Sequence, residues 1–109
     1  MANKNHISKE FMADSQTLVI IIEGEFTYDV GREFRQCYEN ASENPDSYII
    51  DLSKATFIDS AGLGMLVAFR DYFSSNGSNM HLVGAEDQVL ETLQLSNFQD
   101  LFSLSDPRA

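Results

Sequence analysis

One serine stands where chemistry could happen. In Asp59-Ser60-Ala61-Gly62-Leu63-Gly64 a hydroxyl follows a carboxylate and precedes two glycines, and an apolar helical segment comes next. Two readings of this junction compete. In the first it is a plain strand-to-helix connection: Asp59 or Ser60 caps the helix and the glycines let backbones approach closely. In the second the glycines mark a surface. Each costs about 1 kcal/mol relative to Ala inside a helix, a penalty expected only where something must fit against that backbone. A hydroxyl at a helix N-terminus is well placed for phosphorylation, because unpaired N–H groups and the helix dipole stabilise added negative charge by about 0.3–1 kcal/mol at an exposed site. A phosphoryl group carries about −1.5 to −2 charges at pH 7, so its arrival would be felt mainly by whatever binds there.

The other reactive side chains form no catalytic pattern. A nucleophile elbow needs Gly two residues before the serine, and Ile58 stands there. A hydrolase built on Ser60 and His81 is therefore the weakest reading, and its test is ester turnover abolished by Ser60→Ala. His81 reads as a strand residue with an ordinary hydrogen bond, and His6 as solvated. Two histidines without a spaced acidic partner do not make a zinc site. Gly62-Leu63-Gly64 lacks the third glycine of a dinucleotide loop, since Val67 takes its place, and no Walker lysine follows. The single cysteine, Cys37, rules out an intramolecular disulfide and a C-x-x-C motif. No catalytic residue, metal or cofactor is expected.

The elements that must position Ser60 can be read from periodicity. His6 to Met12 alternates weakly, as an edge strand does, and Asp14-Ser15 marks a turn. Thr17 to Ile22 is a β-branched block that reads as a strand covered on both faces, closed by Gly24. Val30, Phe34, Cys37, Tyr38 and Ala41 share one helical face, with Asp29 near the positive end of the dipole and Asn44-Pro45-Asp46 as the break. Cys37 is expected to be buried there. Tyr48 to Leu52 is a strand, Ser53-Lys54-Ala55 a polar link, and Thr56 to Ile58 leads into the serine motif. Met65 to Ser75 is helical in composition and Asn76-Gly77 is a candidate left-handed cap. Met80 to Gly84 is a short strand, Glu86 and Asp87 open a third helix carrying Val89, Leu90 and Leu93, and Asn97 caps its end. Leu101 to Leu104 is the last strand candidate. Alternation of this kind specifies a mixed sheet with covering helices.

The helix after Ser60 carries a second clue. Met65, Phe69 and Tyr72 form one stripe, and Leu63, Leu66 and Val67 another, with Phe73 between them. That arc is wider than one sheet face needs. Either a neighbouring helix covers the excess, or it is an apolar partner surface beside Ser60. Arg70 falls inside the second stripe, where its stem can lie over apolar neighbours while its charge reaches water.

With 109 residues, 43% apolar and 11% aromatic, the chain is sized and composed for one folded domain. Seven Lys+Arg against 17 Asp+Glu give a formal charge of −10. A nucleic-acid backbone or an anionic lipid surface would repel such a chain. The longest apolar run, Leu18 to Ile22, is too short to span a bilayer, and Met1 to Phe11 has no signal-peptide core, so a cytoplasmic location is expected.

Phe57-Ile58-Asp59-Ser60-Ala61-Gly62-Leu63-Gly64 closely resembles the signature of bacterial anti-sigma-factor antagonists, which are single STAS domains. The likeness covers most of the chain. Ile22 to Phe26 resembles the family's second strand and glycine turn, Tyr48 to Leu52 the strand before the signature, and Leu95-Ser96-Asn97-Phe98 with Leu101-Phe102 the segment after the third helix. The resemblance implies an α/β STAS fold: a mixed central sheet of four to five strands with covering α-helices, one domain over residues 1–109, its core at about 6–104 and a polar tail at 105–109. It also implies a switch. The family's regulated serine falls on Ser60, and the unphosphorylated protein binds an anti-sigma factor that is also a serine kinase with a histidine-kinase-like ATPase fold, freeing a sigma factor. Phosphorylation weakens that binding, and a metal-dependent phosphatase of the PP2C type reverses it.

By the same resemblance Asp59 shapes the site and Ala61, Gly62, Leu63 and Gly64 form the partner-facing first turn, with Thr27, Tyr28, Met65 and Phe69 completing the expected contact surface. Three departures stand out. Thr27 follows Phe26 where the family often has an acidic residue, Ala61 replaces a second hydroxyl found in several members, and the chain ends soon after the last strand, so the family's final helix is expected to be missing. The alternative role is a scaffold, a STAS domain held as a fixed subunit of a stressosome-like or lipid-transport assembly.

Overall fold

The computed structural model describes residues 6–39, 43–73 and 79–105. Strand β1 (His6–Met12) turns back into β2 (Thr17–Phe26), and a 3-10 turn (Tyr28–Val30) leads to helix α1 (Gly31–Tyr38). Then come β3 (Ser47–Ile58), α2 (Ser60–Tyr72), β4 (Met80–Val83), α3 (Asp87–Leu95), a 3-10 turn at Phe98–Asp100 and β5 (Ser103–Ser105). The expected mixed sheet has five strands in the order β1-β2-β3-β4-β5, with β1 antiparallel to β2 and every other pair parallel. The candidate cap Asn76-Gly77, and the positions Ala41 and Ser75, lie outside the described residues.

This strand order dictates where the helices go. Strands β2 to β5 advance across the sheet in one direction, and right-handed crossovers then put α1, α2 and α3 on the same face. Burial follows that rule. Leu18, Ile20 and Ile22 on β2, Tyr48, Ile50 and Leu52 on β3, and Met80 and Leu82 on β4 are buried, while Val19, Ile21, Ile49, His81 and Val83 on the opposite face are half-buried. The expectation that β2 is covered on both faces is thereby corrected. Its β-branched run reflects strand propensity and one-sided burial rather than a helix on each side.

Other boundaries differ from the sequence reading: α2 opens at Ser60 rather than Met65, β5 starts at Ser103 rather than Leu101, and two lie in the paired strands. Gly24 does not close β2; it adopts φ +84 within the strand, which runs on to Phe26. Ser53-Lys54-Ala55 is no link, because β3 is continuous from Ser47 to Ile58. Pairing runs Ile21↔Asp51, then Glu23↔Lys54, then Gly24↔Ala55, then Glu25↔Phe57, so β3 carries one extra residue at each of two steps. These are bulges. The Asp51 carboxylate accepts the Ser53 N–H at 2.9 Å and its hydroxyl at 2.7 Å, supplying partners at the first of them.

The core is an aromatic seam between α1, α2 and the sheet. Phe34 packs edge-on to Phe26 with ring centroids 5.0 Å apart, and Phe69 lies 5.0 Å from Tyr38, 5.8 Å from Phe34 and 5.7 Å from Tyr48. Each such pair contributes about 0.5–1.5 kcal/mol beyond area burial. Only the Phe69 part of the apolar arc of α2 is thus covered by α1; Tyr72 is 50% exposed and Leu63, Met65 and Val67 are half-buried. Phe69 is 1% exposed and belongs to the core, so its place on a partner surface is withdrawn. Cys37 is buried as expected, and burial pushes its thiol above the usual range, with Lys9 pulling weakly the other way. Among the described residues no helix is long and apolar enough to cross a membrane.

Candidate functional site

The site is built where β3 ends. Asp59 is extended at φ −118 and ψ −173, which aims its side chain back at the helix that follows. Its Oδ1 accepts the Gly62 N–H at 2.9 Å, and its carbonyl accepts the Leu63 N–H at 3.0 Å. Asp59 is therefore the N-cap of α2, the role the junction reading gave it, and the cap is worth about 0.5–2 kcal/mol. Ser60 opens the helix and its side chain is exposed. The N–H groups of Ser60 and Ala61 belong to the first turn and have no acceptor within the helix. Their partial positive charge favours negative charge at the helix start.

The two glycines of the motif do different things. A Cβ at Gly62 would meet the Phe26 carbonyl oxygen and the Ile58 side chain at 2.7 Å, so α2 can press against the ends of β2 and β3 only with glycine there. A Cβ at Gly64 would meet nothing within 4 Å. Gly64 is exposed, lies one turn beyond Ser60 on the same side of the helix, and has no packing reason to be glycine. The first glycine belongs to the fold; the second leaves a bare strip of helix beside the hydroxyl.

Neighbouring elements frame this strip. Thr27 is half-buried and Tyr28 is 77% exposed on the segment leaving β2, whose Phe26 carbonyl lies under Gly62. Gly31, at the start of α1, lies against the half-buried Met65, with the sulfur 3.1 Å from the position of a Gly31 Cβ. Phe57 adds a side chain 39% exposed one residue before Ile58. Of the expected surface, Thr27, Tyr28, Ala61, Leu63, Gly64 and Met65 are at least partly exposed, whereas Phe69 and Gly62 are buried.

Sequence reasoning missed Gln88. Its Oε1 accepts the Ile58 N–H at 3.0 Å, and its Nε2 donates to the Ile58 carbonyl at 2.9 Å and to Thr92 Oγ1 at 3.0 Å. An amide on α3 thus completes the strand edge immediately before Asp59 and positions the motif. A carboxamide one residue before the buried Val89 was the only available signal. Arg70 is half-buried, and its Nε donates to the Leu101 carbonyl at 3.0 Å.

The hydrolase pair is not assembled. His81 sits in register with Ile49, nine residues before Ile58, which is about 30 Å of strand at 3.3 Å per residue. No group of three or more His, Cys, Asp or Glu side chains among the described residues could hold a metal ion.

The model of the STAS domain matches residues 8–108. The chain belongs to the STAS domain family. A STAS-domain-containing protein of Pseudomonas aeruginosa is 38% identical over 93 residues, spanning 85% of this chain and 92% of that protein. The unphosphorylated form of the anti-sigma factor antagonist SpoIIAA shares the fold with a TM-score of 0.76 at 18% identity, over 94% of this chain and 90% of that one. A sulfate transporter family protein of Wolinella succinogenes does so with a TM-score of 0.71 at 19% identity, over 83% and 76%. The STAS fold thus serves in more than one setting, and function has to be argued from the site.

Proposed function

We propose that this STAS domain is a protein-binding switch, an anti-sigma-factor antagonist gated by phosphorylation of Ser60. The unmodified domain binds and sequesters an anti-sigma factor that is also a serine kinase with a histidine-kinase-like ATPase fold, and this releases a sigma factor. The kinase phosphorylates Ser60, the complex dissociates, and a PP2C-type phosphatase resets the switch in the cytoplasm. The domain itself is not an enzyme.

One observation carries the reading: the exposed Ser60 hydroxyl opens a helix whose bare Gly64 strip has no packing role within the domain. A partner laid along that strip would come close to the helix backbone and cover the hydroxyl. A phosphoryl group there would be tolerated by the helix start and would place about two negative charges inside the contact. Ser60 is exposed at the helix start, so the fold accepts that charge with little strain and the change is read by the partner. The test is incubation with the cognate kinase and ATP followed by mass spectrometry. Modification at Ser60 is expected; modification elsewhere with Ser60 untouched overturns the reading.

A second reading, a fixed scaffold subunit, is supported by the likeness to the sulfate transporter family protein. It needs the same docking strip but no reversible phosphate. Purification from native cells separates the two: a kinase-like partner supports the switch, and a transporter or a large particle supports the scaffold.

A further inference from the structure

The described residues carry five Lys or Arg side chains, in a chain of formal charge −10. Three are engaged internally: Lys9 lies 3.6 Å from Glu43, Lys54 lies 4.0 Å from Glu23, and Arg70 donates to the Leu101 carbonyl. Arg32 and Arg35 are exposed on α1, and neither guanidinium has an ion-pair or hydrogen-bond partner among the described residues. They line one cleft of about 310 Å³, together with Tyr28, Asp29 and Gly31. The Arg35 guanidinium folds toward the helix start, its Nη1 3.5 Å from the position of a Gly31 Cβ.

This cleft borders the Ser60 site. Gly31 touches Met65 in the second turn of α2, and Tyr28 follows the strand end that lies under Gly62. We infer that Arg32 and Arg35 form a docking site for an acidic segment of the protein partner, a deepening that rests on the switch reading above. Two guanidiniums without internal partners offer planar forks that fit carboxylates in bidentate fashion. On a surface otherwise rich in carboxylates, such a positive spot fixes the register of a docked partner more than it adds raw affinity. A partner attracted by the overall negative charge would be turned to one orientation by an acidic stretch meeting this cleft. Tyr28, at the rim, presents an aromatic face and a hydroxyl to the same segment.

Two measurements test the inference. In the first, the domain is titrated by NMR with a hexaglutamate peptide and, separately, with inorganic phosphate. Salt-sensitive shifts of the Arg32 and Arg35 side-chain Nε–H signals and of the Tyr28–Arg35 backbone, larger for the peptide than for phosphate, are expected. No shift, shifts spread evenly over the domain, or a stronger response to phosphate overturns it. In the second, binding to the kinase that modifies Ser60 is compared for wild type, Arg32→Glu/Arg35→Glu and the charge-matched control Lys9→Glu/Lys54→Glu. The arginine reversal is expected to lower affinity about tenfold or more and the control about threefold or less. Equal losses overturn the inference while leaving the switch reading intact. Absence of wild-type binding removes the switch reading, and the peptide titration then decides the cleft alone.

Discussion

Replacing each of the two motif glycines by alanine should move stability in opposite directions. At Gly62 the new methyl would meet the Phe26 carbonyl oxygen and come within 2.7 Å of Ile58, which is itself held by Gln88. A backbone oxygen locked in the β2–β3 pairing cannot retreat freely, so Gly62→Ala is expected to destabilise by about 1–3 kcal/mol, as overpacking generally does. At Gly64 the methyl meets nothing within 4 Å. The substitution then gains the helix propensity difference, about 0.8–1 kcal/mol. For a domain of this size 1 kcal/mol moves the melting temperature by about 4 °C. Thermal unfolding followed by circular dichroism should therefore show Gly64→Ala melting about 4 °C higher and Gly62→Ala melting lower. Partner binding, measured by calorimetry, should nevertheless weaken about tenfold for the more stable Gly64→Ala variant, because a Cβ now stands where the partner approaches the backbone. A Gly64→Ala domain that melts higher and binds as wild type does would refute the assignment of the bare strip to a partner. One that melts lower would refute the structural reasoning as well.

Gln88→Ala should remove both amide contacts to Ile58 and cost about 1–3 kcal/mol, because a partly buried N–H and carbonyl lose their partners; hydrogen exchange at Ile58 should speed up more than at Leu18. Alkaline unfolding gives a pH signature. Burial holds the Tyr38 and Tyr48 hydroxyls above the ordinary tyrosine range, with Glu39 and Asp46 adding in the same direction. The folded state thus keeps protons that the unfolded state releases above about pH 10, so this contribution is present below that pH and is lost as pH rises beyond it. Tyr48→Phe should flatten the fall of urea-unfolding stability above pH 10; an unchanged slope would count against the burial argument. Ser60→Asp should bind the partner more weakly than wild type with little change in melting temperature, whereas Ser60→Ala should bind constitutively; identical binding by Ser60→Asp and wild type would contradict the charge mechanism.

Much of this molecule is legible along the chain because its signals are local. The helical spacing of Val30, Phe34, Cys37 and Tyr38 and the left-handed Asn97 after α3 (φ 60) both depend on near neighbours. What was misread depends on residues far away in sequence. Ser53-Lys54-Ala55 looks like a link because its residue types are polar, yet bulged pairing with β2 keeps it in the strand. The one-sided covering of the sheet follows from strand order, which no single strand encodes. Phe69 reads equally well as core or surface until α1 brings Phe34 and Tyr38 against it. Gly62 and Gly64 are alike in sequence, and the Ile58 side chain together with Phe26, 36 residues upstream of Gly62, separates a packing glycine from a bare one.

The affinity of the partner kinase for the domain carrying phosphoserine at position 60, set against the unmodified domain under the same salt, weighs the switch most directly. A loss of tenfold or more, with both forms melting within a degree or two of each other, is the result the structure leads to. Unchanged affinity at full Ser60 occupancy would contradict it.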